Sequence, residues 1–427
     1  MNSRTIKLAP GLVWLAAALL FLTPAVNLVM RGGSGYCFFA LFALSVGAAV
    51  TGCKAPGYFS GLRTYGWYAL GMTALTVAIL IQQPLLGYWV PRQFDAVSRL
   101  TLGLLIFLFL RQMPSRHLRV IGWGCAAGAI FVAVRGAIVL HTHAVWTDAD
   151  RLQNTYTNPI PFGDTVLLLG FLSAFTLGWD GPRNRWALAL KLVALACGIY
   201  ASYLSGTRGG WLAIPFFIVL LGLQYRWFSH RKSTVLAIVA VLACAAAVMT
   251  NSRIEHRLDE VSTDMTRMHQ GDGDTSLGLR LQLWEASGTL FTRHPVYGVG
   301  KGRLVVALRD LAQQGEVSTA IVNERAHSDF FSTLAELGGI GVVCLLLFYF
   351  GLTVYFWRHA RSGDATIRAA AYSGLAVSTS TIVYGLTIDV LVPVMVVVLI
   401  ALLSATFLAI IDSRLRELSS PEETPAR

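Results

Sequence analysis

Residues 391–411 read LVPVMVVVLIALLSATFLAII, a run of 21 residues that contains no charged side chain. The hydrocarbon core of a bilayer is about 30 Å thick, so an α-helix needs about 20 apolar residues to cross it. Buried helices of soluble proteins are rarely this long and this free of charge. The run therefore predicts a transmembrane helix.

Similar runs recur along the whole chain, which is 55% hydrophobic and 13% charged, with a mean hydropathy of +0.59. A soluble protein carries about 25% charged residues, so the composition argues against a soluble all-α protein. We predict an all-α polytopic membrane protein of about twelve transmembrane helices, at 8–28, 36–53, 65–82, 98–112, 118–140, 159–178, 186–204, 209–225, 233–250, 330–356, 366–388 and 391–411. Residues 84–97 are too polar to span and are predicted to lie at the membrane interface.

Lysine and arginine are distributed unevenly between the loops on the two sides. One set of segments, which includes both termini, holds 18 of these residues. The opposite short loops hold five: Arg31, Arg92, Arg99, Arg151 and Arg208. Because positively charged loops stay in the cytoplasm, both termini are predicted to be cytoplasmic and the 79-residue segment 251–329 to lie outside.

This outer segment divides the chain into four predicted parts: membrane helices 1–9 in 1–250, the outer loop 251–329, membrane helices 10–12 in 330–411 and a cytoplasmic tail 412–427. The loop itself is predicted to be helical. Apolar residues at helical spacing (Ile254, Leu258, Val261, Met265 and Met268) define a first amphipathic helix. Gly271-Asp272-Gly273-Asp274 ends it, and a second helix is predicted at 277–293.

The sequence argues against a metal site and against nucleic-acid binding. The acidic segment at 272–276 fails as an EF-hand, because the positions that require Gly and Glu are Leu277 and Leu283. HExxH and Walker A motifs do not occur, and all six cysteines lie in or beside apolar runs. The net charge of +11 comes from short clusters between apolar runs, as topology signals do. We therefore expect no metal, no cofactor and no nucleic-acid partner.

Two arginines are candidates for binding an anion at the outer surface. Arg208 lies within Ser205-Gly-Thr-Arg-Gly-Gly210, where glycines allow close backbone approach and the guanidinium can fork onto phosphate oxygens. Arg280 lies near the start of the second loop helix and has no acidic residue three or four positions later. For each, a solvated or snorkelling surface arginine is the alternative interpretation.

His327, in Ala326-His-Ser-Asp329, directly precedes the tenth predicted helix. A histidine at a membrane mouth can accept a proton near neutral pH. The alternative is that Ser328 or Asp329 caps the helix and His327 merely lies outside it.

Two further charges lie within or beside membrane helices. Arg135 lies inside the fifth predicted helix, where a charge costs about 2.5–3.5 kcal/mol, so it should face a cavity or a partner. Asp389 lies at the outer end of the eleventh and could pair with Arg135 or with another arginine. A structural ion pair is the alternative for both.

Several motifs occur together in an order that resembles the O-antigen ligase family, within a group that also holds O-antigen polymerases and protein O-oligosaccharyltransferases. They are Asn158-Pro-Ile-Pro-Phe-Gly163, Ser205-Gly-Thr-Arg-Gly-Gly-Trp211, Arg280-xxx-Trp284, His294-Pro-Val-Tyr-Gly-Val-Gly300, Ala326-His-Ser-Asp-Phe330 and Ala335-Glu-Leu-Gly-Gly-Ile-Gly341. They cover about 158–341, and the helix count extends the resemblance to the rest of the chain.

The resemblance implies a metal-independent, inverting glycosyltransferase of the bacterial inner membrane, of the multi-helix type that uses a lipid carrier, with its active site in the periplasm. Its donor would be a polysaccharide on undecaprenyl diphosphate, and its acceptor a sugar hydroxyl of lipid A–core. His327 would be the general base, and Arg208 and Arg280 would bind the diphosphate, with Arg135 as a further candidate. Asp389, Trp284 and His294 would support the site.

Three other functions remain open. An O-antigen polymerase tends to have two sizeable outer loops, whereas one is predicted here. A protein-glycosylating relative usually has a longer outer C-terminal region. A transporter or flippase for a lipid-linked anion should depend on cavity arginines such as Arg135 and Arg208 more than on His327, and the absence of a clear inverted repeat argues against it. The transferred sugars and the oligomeric state are not indicated by the sequence.

Overall fold

The computed structural model describes residues 8–52, 57–142, 147–148, 151–180, 184–227 and 275–419. The described chain is mostly helical, with α1 Pro10–Val26, α2 Gly33–Gly52, α3 Ser60–Thr64, α4 Gly66–Leu85, α5 Ser98–Leu110, α6 Ser115–Leu118, α7 Ile121–Thr142, α8 Pro159–Phe175, α9 Arg185–Ser205, α10 Arg208–Trp211, α11 Ile214–Gln224, α12 Ser276–Arg293, α13 Leu304–Gln313, α14 Asp329–His359, α15 Ala365–Gly385 and α16 Val394–Ser419. Short 3-10 helices occupy Pro91–Phe94, Thr176–Trp179 and Thr319–Ile321. The strands β1 (Thr147–Asp148) and β2 (Arg151–Leu152) form one antiparallel pair.

Seven helical segments within the described ranges are long and apolar enough to cross a membrane: Gly33–Thr51, Gly66–Leu85, Ser115–Thr142, Pro159–Trp179, Arg185–Ser205, Asp329–His359 and Val394–Ser419. Pro10–Val26, Ser98–Leu110 and Arg208–Gln224 are apolar but shorter. Helices thus occupy eleven of the twelve positions predicted from hydropathy. The twelfth, 233–250, lies outside the described residues, as do the predicted amphipathic helix at 254–268 and the turn at 271–274.

Helix α15 is not among the seven, although it lies within the bundle and most of its residues are buried. Small and hydroxyl-bearing residues lower its apolarity. Two of its hydroxyls bond to backbone carbonyls: Ser378 Oγ donates to the Leu352 carbonyl at 2.9 Å and Thr381 Oγ1 to the Val377 carbonyl at 2.8 Å. Side-chain bonds to backbone carbonyls let such residues lie at membrane depth.

Glycines set the closest helix contacts. A Cβ added at Gly71 of α4 would lie 2.6 Å from the Leu347 carbonyl of α14, and one at Gly351 would lie 2.3 Å from the Trp67 carbonyl. Such contacts let two backbones approach to a distance that larger side chains forbid. Helix α4 is thereby fixed against α14, which begins at the candidate site.

Helix α16 extends eight residues beyond the end of the apolar run at Ile411 and into the predicted tail. Asp412 explains the continuation, because its carboxylate pairs with Arg111 at 2.8 Å and accepts a hydrogen bond from Tyr65 at 3.2 Å. Glu417 then accepts from the Ser115 backbone at 2.8 Å. These partners come from distant segments, so hydropathy could not predict the helix end.

Candidate active site

The turn that carries Arg208 is fixed by its own hydroxyls. Gly206 ends α9 in the left-handed region (φ 65°), and Thr207 precedes Arg208 in an extended conformation. Thr207 Oγ1 lies 2.7 Å from Ser205 Oγ and donates to the Pro159 carbonyl at 3.0 Å. The turn before Arg208 is therefore attached to the first residue of α8.

Glycines bring the two predicted motifs into direct contact. A Cβ at Gly163 of α8 would lie 1.9 Å from Ser205 Oγ, and one at Gly210 of α10 would lie 2.0 Å from Asp164 Oδ1. No larger residue fits at either position without a shift. Asn158-Pro-Ile-Pro-Phe-Gly163 is thus the surface against which the Arg208 turn packs.

Arg151 also holds this turn. Its Nε donates to the Ser205 carbonyl at 2.8 Å and its Nη2 to the Gly206 carbonyl at 3.5 Å. In the sequence, Arg151 stands out only as a topology signal. Its role in holding the turn could not be predicted locally, because the carbonyls to which it donates lie 54 and 55 residues away in the chain.

Arg280 lies on α12, close to Arg208. Burial lowers the pKa of the Arg280 guanidinium, and the positive charge of Arg208 lowers this pKa further. No acidic side chain of the described residues lies within salt-bridge distance of Arg280. Two guanidiniums that are far apart in the sequence are therefore close enough for their charges to interact, an arrangement that an anion would stabilise.

Trp284, one helical turn after Arg280, connects α12 to the segment before α14. Its indole Nε1 donates to the Ala326 carbonyl at 2.9 Å, and its ring stacks on Phe331 with centroids 4.9 Å apart. Ala326 directly precedes His327. Trp284 therefore holds the histidine segment against the helix that carries Arg280.

His327 has a left-handed backbone (φ 49°), which is uncommon for a residue other than glycine. Its Nε2 lies 3.4 Å from Glu324 Oε2, and its side chain is 35% exposed. Helix α14 begins at Asp329 with Ser328 in the N-cap position, but Ser328 makes no capping bond. Its Oγ donates to the Gly385 carbonyl of α15 at 3.3 Å instead.

The remaining candidates lie in different surroundings. Asp389 accepts a hydrogen bond from Ser332 Oγ, and no arginine of the described residues lies within salt-bridge distance of it. Arg135 lies on an exposed side of α7, beside Gly136, which packs against Leu152. Its proposed contact with a diphosphate stays a prediction.

His294 forms the C-cap of α12 and is exposed. It lies 14 residues after Arg280, which corresponds to about 20 Å along the helix axis. Its backbone carbonyl accepts from Gly298 N at 3.0 Å and closes the next turn. His294 thus lies at the far end of α12 from Arg280.

The glycine-rich stretch after His294 pairs with a break in α14. Gly338 is non-helical (φ 64°), and Gly339 N donates to the Pro295 carbonyl at 2.8 Å while Val299 N donates to the Ala335 carbonyl at 2.9 Å. The backbone groups freed by the break are thereby satisfied, as irregular backbone near a membrane requires.

The buried side chains of Gln82 and Glu336 secure this stretch, and neither is among the site residues predicted from the sequence. Gln82 donates to the Glu336 carbonyl at 2.6 Å, and its Oε1 accepts from Lys301 N at 3.0 Å. Polar residues within apolar runs are expensive in a membrane, and that cost is the signal that could have identified Gln82 and Glu336.

A cavity of about 400 Å³ adjoins the start of α8. Tyr156, Asn158, Pro161 and Met395 are among its lining residues. Since the Pro159 carbonyl accepts from Thr207, this cavity and the Arg208 turn share the first turn of α8. Burial raises the pKa of Tyr156 to about 12, so its phenol stays neutral.

Within the described residues, no cluster of three His, Cys, Asp or Glu is placed to hold a metal ion.

These features define a multi-pass membrane protein in which Arg208 influences Arg280 and the helix that carries Arg280 bonds to the residue before His327. The model of the O-antigen ligase family matches residues 192–346, which confirms the resemblance. The matched region includes Arg208, Arg280, Trp284, His294 and His327.

Two relatives are similar over longer stretches. An uncharacterised protein of Haemophilus influenzae is 21% identical over 304 residues, which are 69% of this chain and 73% of the relative. An O-antigen ligase of Escherichia coli K12 is 22% identical over 243 residues, which are 56% of this chain and 57% of the relative.

Proposed function

We propose that this protein is an O-antigen ligase of the bacterial inner membrane. It transfers a polysaccharide from undecaprenyl diphosphate to a sugar hydroxyl of lipid A–core on the periplasmic side. Arg208 and Arg280 bind the diphosphate, and His327 is the general base. The family match over residues 192–346 supports the reaction class, since the family is of glycosyltransferase type.

One observation carries the assignment of residues. The positive charge of Arg208 contributes to lowering the pKa of Arg280. Trp284, one turn further along the same helix, donates a hydrogen bond to the residue before His327. A paired-guanidinium anion site and a proton acceptor thus lie on adjoining segments. A transferase of this type needs these two functions beside each other.

The chemistry requires one bond to form and one to break. The acceptor hydroxyl gives its proton to His327 while its oxygen attacks the anomeric carbon. The bond from that carbon to the diphosphate breaks, and its electron pair leaves on the phosphate oxygen. Two guanidiniums stabilise the charge that develops there, and attack from the opposite face inverts the anomeric centre.

Glu324 gives His327 an orientation for this role. In the tautomer that carries its proton on Nε2, 3.4 Å from Glu324 Oε2, Nδ1 has the lone pair that accepts the acceptor's proton. A carboxylate that orients an imidazole also stabilises the imidazolium formed during the reaction.

Purified protein in lipid nanodiscs, supplied with lipid-linked polymer and lipid A–core, tests the proposal. Wild type should form the polymer–lipid A–core product without added divalent cation. His327→Ala and Arg280→Gln should reduce transfer by roughly 10²-fold or more at normal protein levels. Transfer at the wild-type rate by either variant contradicts the role given to that residue.

Changing the acceptor separates the alternatives. A polymerase would extend a second lipid-linked glycan and leave lipid A–core unmodified, and a protein glycosyltransferase would modify a peptide. A flippase would move the lipid-linked glycan across sealed vesicles without forming a glycosidic bond. Any of these results, with no product on lipid A–core, contradicts the ligase proposal.

A further inference from the structure

The loop from Tyr297 to Arg303 is held rigidly between two membrane helices. The side-chain Nε2 of Gln82, on α4, donates to the Tyr297 carbonyl, and its Oε1 accepts from Lys301 N at 3.0 Å. Glycines at 298, 300 and 302 have positive φ angles of 66°, 108° and 83°, which other residues rarely adopt. Arg303, at the end of the loop, therefore starts from a fixed backbone.

Lys301, two residues before Arg303, is neutralised by Glu336 of α14. Lys301 Nζ lies 2.6 Å from Glu336 Oε2, and Glu336 Oε1 accepts from Gly302 N at 3.0 Å. Both side chains are largely buried, at 15% and 5% exposure. Glu336 is thus fully engaged and leaves the charge of Arg303 unneutralised.

An aromatic ring positions Arg303. The guanidinium carbon lies 4.0 Å from the centroid of Tyr88, whose hydroxyl donates to the Lys301 carbonyl at 3.2 Å. Burial raises the pKa of Tyr88, so the phenol is neutral, although Arg303 opposes this shift. A guanidinium stacked on a ring keeps its N–H donors at the edges, available for a bidentate partner.

A second arginine, Arg92, directly precedes a residue that packs on this loop. Arg92 is exposed and lies in the 3-10 helix Pro91–Phe94. The next residue, Gln93, packs on Gly302 of the loop, since a Cβ added at Gly302 would lie 2.3 Å from Gln93 Nε2. The nearby Asp95 pairs with Arg99 at 2.8 Å. Within the described residues, no acidic group lies within salt-bridge distance of Arg92 or Arg303.

The surroundings identify this surface as membrane interface and connect it to the candidate site. Trp89 and Val90 between Tyr88 and Arg92 are 56% and 40% exposed, as residues at headgroup depth are. Lys301 pairs with Glu336 of α14, the helix that begins two residues after His327. A headgroup bound at Arg303 would therefore lie on the His327 side of the bundle.

We propose that Arg303, supported by Tyr88, and Arg92 bind a phosphate of the acceptor glycolipid. This inference rests on the proposed ligase function. It assigns the acceptor to a site separate from the Arg208–Arg280 pair, which takes the diphosphate of the donor. The ligand is a phosphate monoester on a lipid-anchored sugar at the outer membrane surface, and charge complementarity selects it.

Kinetics with two acceptors test the site. Arg303→Gln should raise the KM for phosphorylated lipid A–core by roughly 10-fold, with kcat and the KM for donor unchanged. The same variant should not change the KM for enzymatically dephosphorylated lipid A–core. Tyr88→Leu should reproduce part of the increase and Tyr88→Phe none, because phenylalanine keeps the ring face.

Arg361→Gln is the matched control, since it removes one exposed arginine at the other end of α14. Equal effects of Arg303→Gln on both acceptors, or an effect equal to that of Arg361→Gln, overturn the proposal. An effect that vanishes when anionic phospholipid is omitted from the nanodisc assigns the arginines to bulk lipid and also overturns it. Binding of phosphorylated lipid A–core measured without donor keeps the test separate from catalysis. If wild type binds phosphorylated lipid A–core more tightly than Arg303→Gln does, but transfers no polymer to it, the result supports the phosphate site and contradicts the ligase function.

Discussion

The hydrogen bond from Trp284 to the Ala326 carbonyl predicts a specific loss in Trp284→Phe. Phenylalanine keeps the aromatic contact with Phe331 but has no N–H, so the Ala326 carbonyl loses its donor. Ala326 is fully buried, and an unsatisfied buried carbonyl costs about 1–3 kcal/mol. If the whole cost falls on the positioning of His327, transfer should decrease roughly 5- to 150-fold.

The measurement is the rate of polymer transfer to lipid A–core by protein in nanodiscs, with both substrates saturating. Trp284→Ala should lose more, since the stacked pair contributes about a further 0.5–1.5 kcal/mol. Trp186→Phe is the control, because Trp186 is 82% exposed on α9. A wild-type rate for Trp284→Phe, or equal losses in Trp284→Phe and Trp186→Phe, refutes the reasoning.

Three other changes have predictable outcomes. Gly163→Ala should lower the free energy of unfolding by about 1–3 kcal/mol in denaturation of the purified protein, because its Cβ would lie 1.9 Å from buried Ser205 Oγ; Gly288→Ala, with no atom within 4 Å, should not destabilise it. Glu324→Gln should lower transfer by about 5-fold or less, since the Glu324 side chain is half exposed and lies 3.4 Å from His327 Nε2. A loss above about 100-fold would contradict this and make the carboxylate essential. Inorganic pyrophosphate at 100 times its wild-type Kd should stabilise wild type by about 2.7 kcal/mol. At the same concentration it should stabilise Arg280→Gln less, because an anion offsets the burial and the Arg208 charge that lower the pKa of Arg280; equal melting shifts would contradict this.

The helices were predictable because hydropathy is a local property. A run such as 391–411 contains all the information needed to identify a membrane helix, and helices lie at every predicted position within the described residues. Helix ends were less predictable. The extension of α16 to Ser419 depends on Asp412 meeting Arg111, which is 301 residues away in the chain.

The candidate site was predictable in its residue types and only partly in its arrangement. Arg208, Arg280 and His327 stood out as charged or titratable groups beside apolar runs. Trp284 stood out only as part of the motif that follows Arg280. Arg151 and Glu324 did not stand out as site residues, because nothing local distinguishes an anchoring side chain from a solvated one. His294 shared a motif with the site yet lies about 20 Å along α12 from Arg280.

The sequence alone determined the class of the protein, since its apolar runs, basic loops and motif order require no knowledge of packing. The tertiary structure alone decided that Arg208 lies beside Arg280, that Trp284 holds the His327 segment and that Tyr88 supports Arg303. The physical reason is one of range. Hydrophobic transfer acts on each segment independently, whereas hydrogen bonds and ion pairs act over a few ångströms between segments that only the fold brings together.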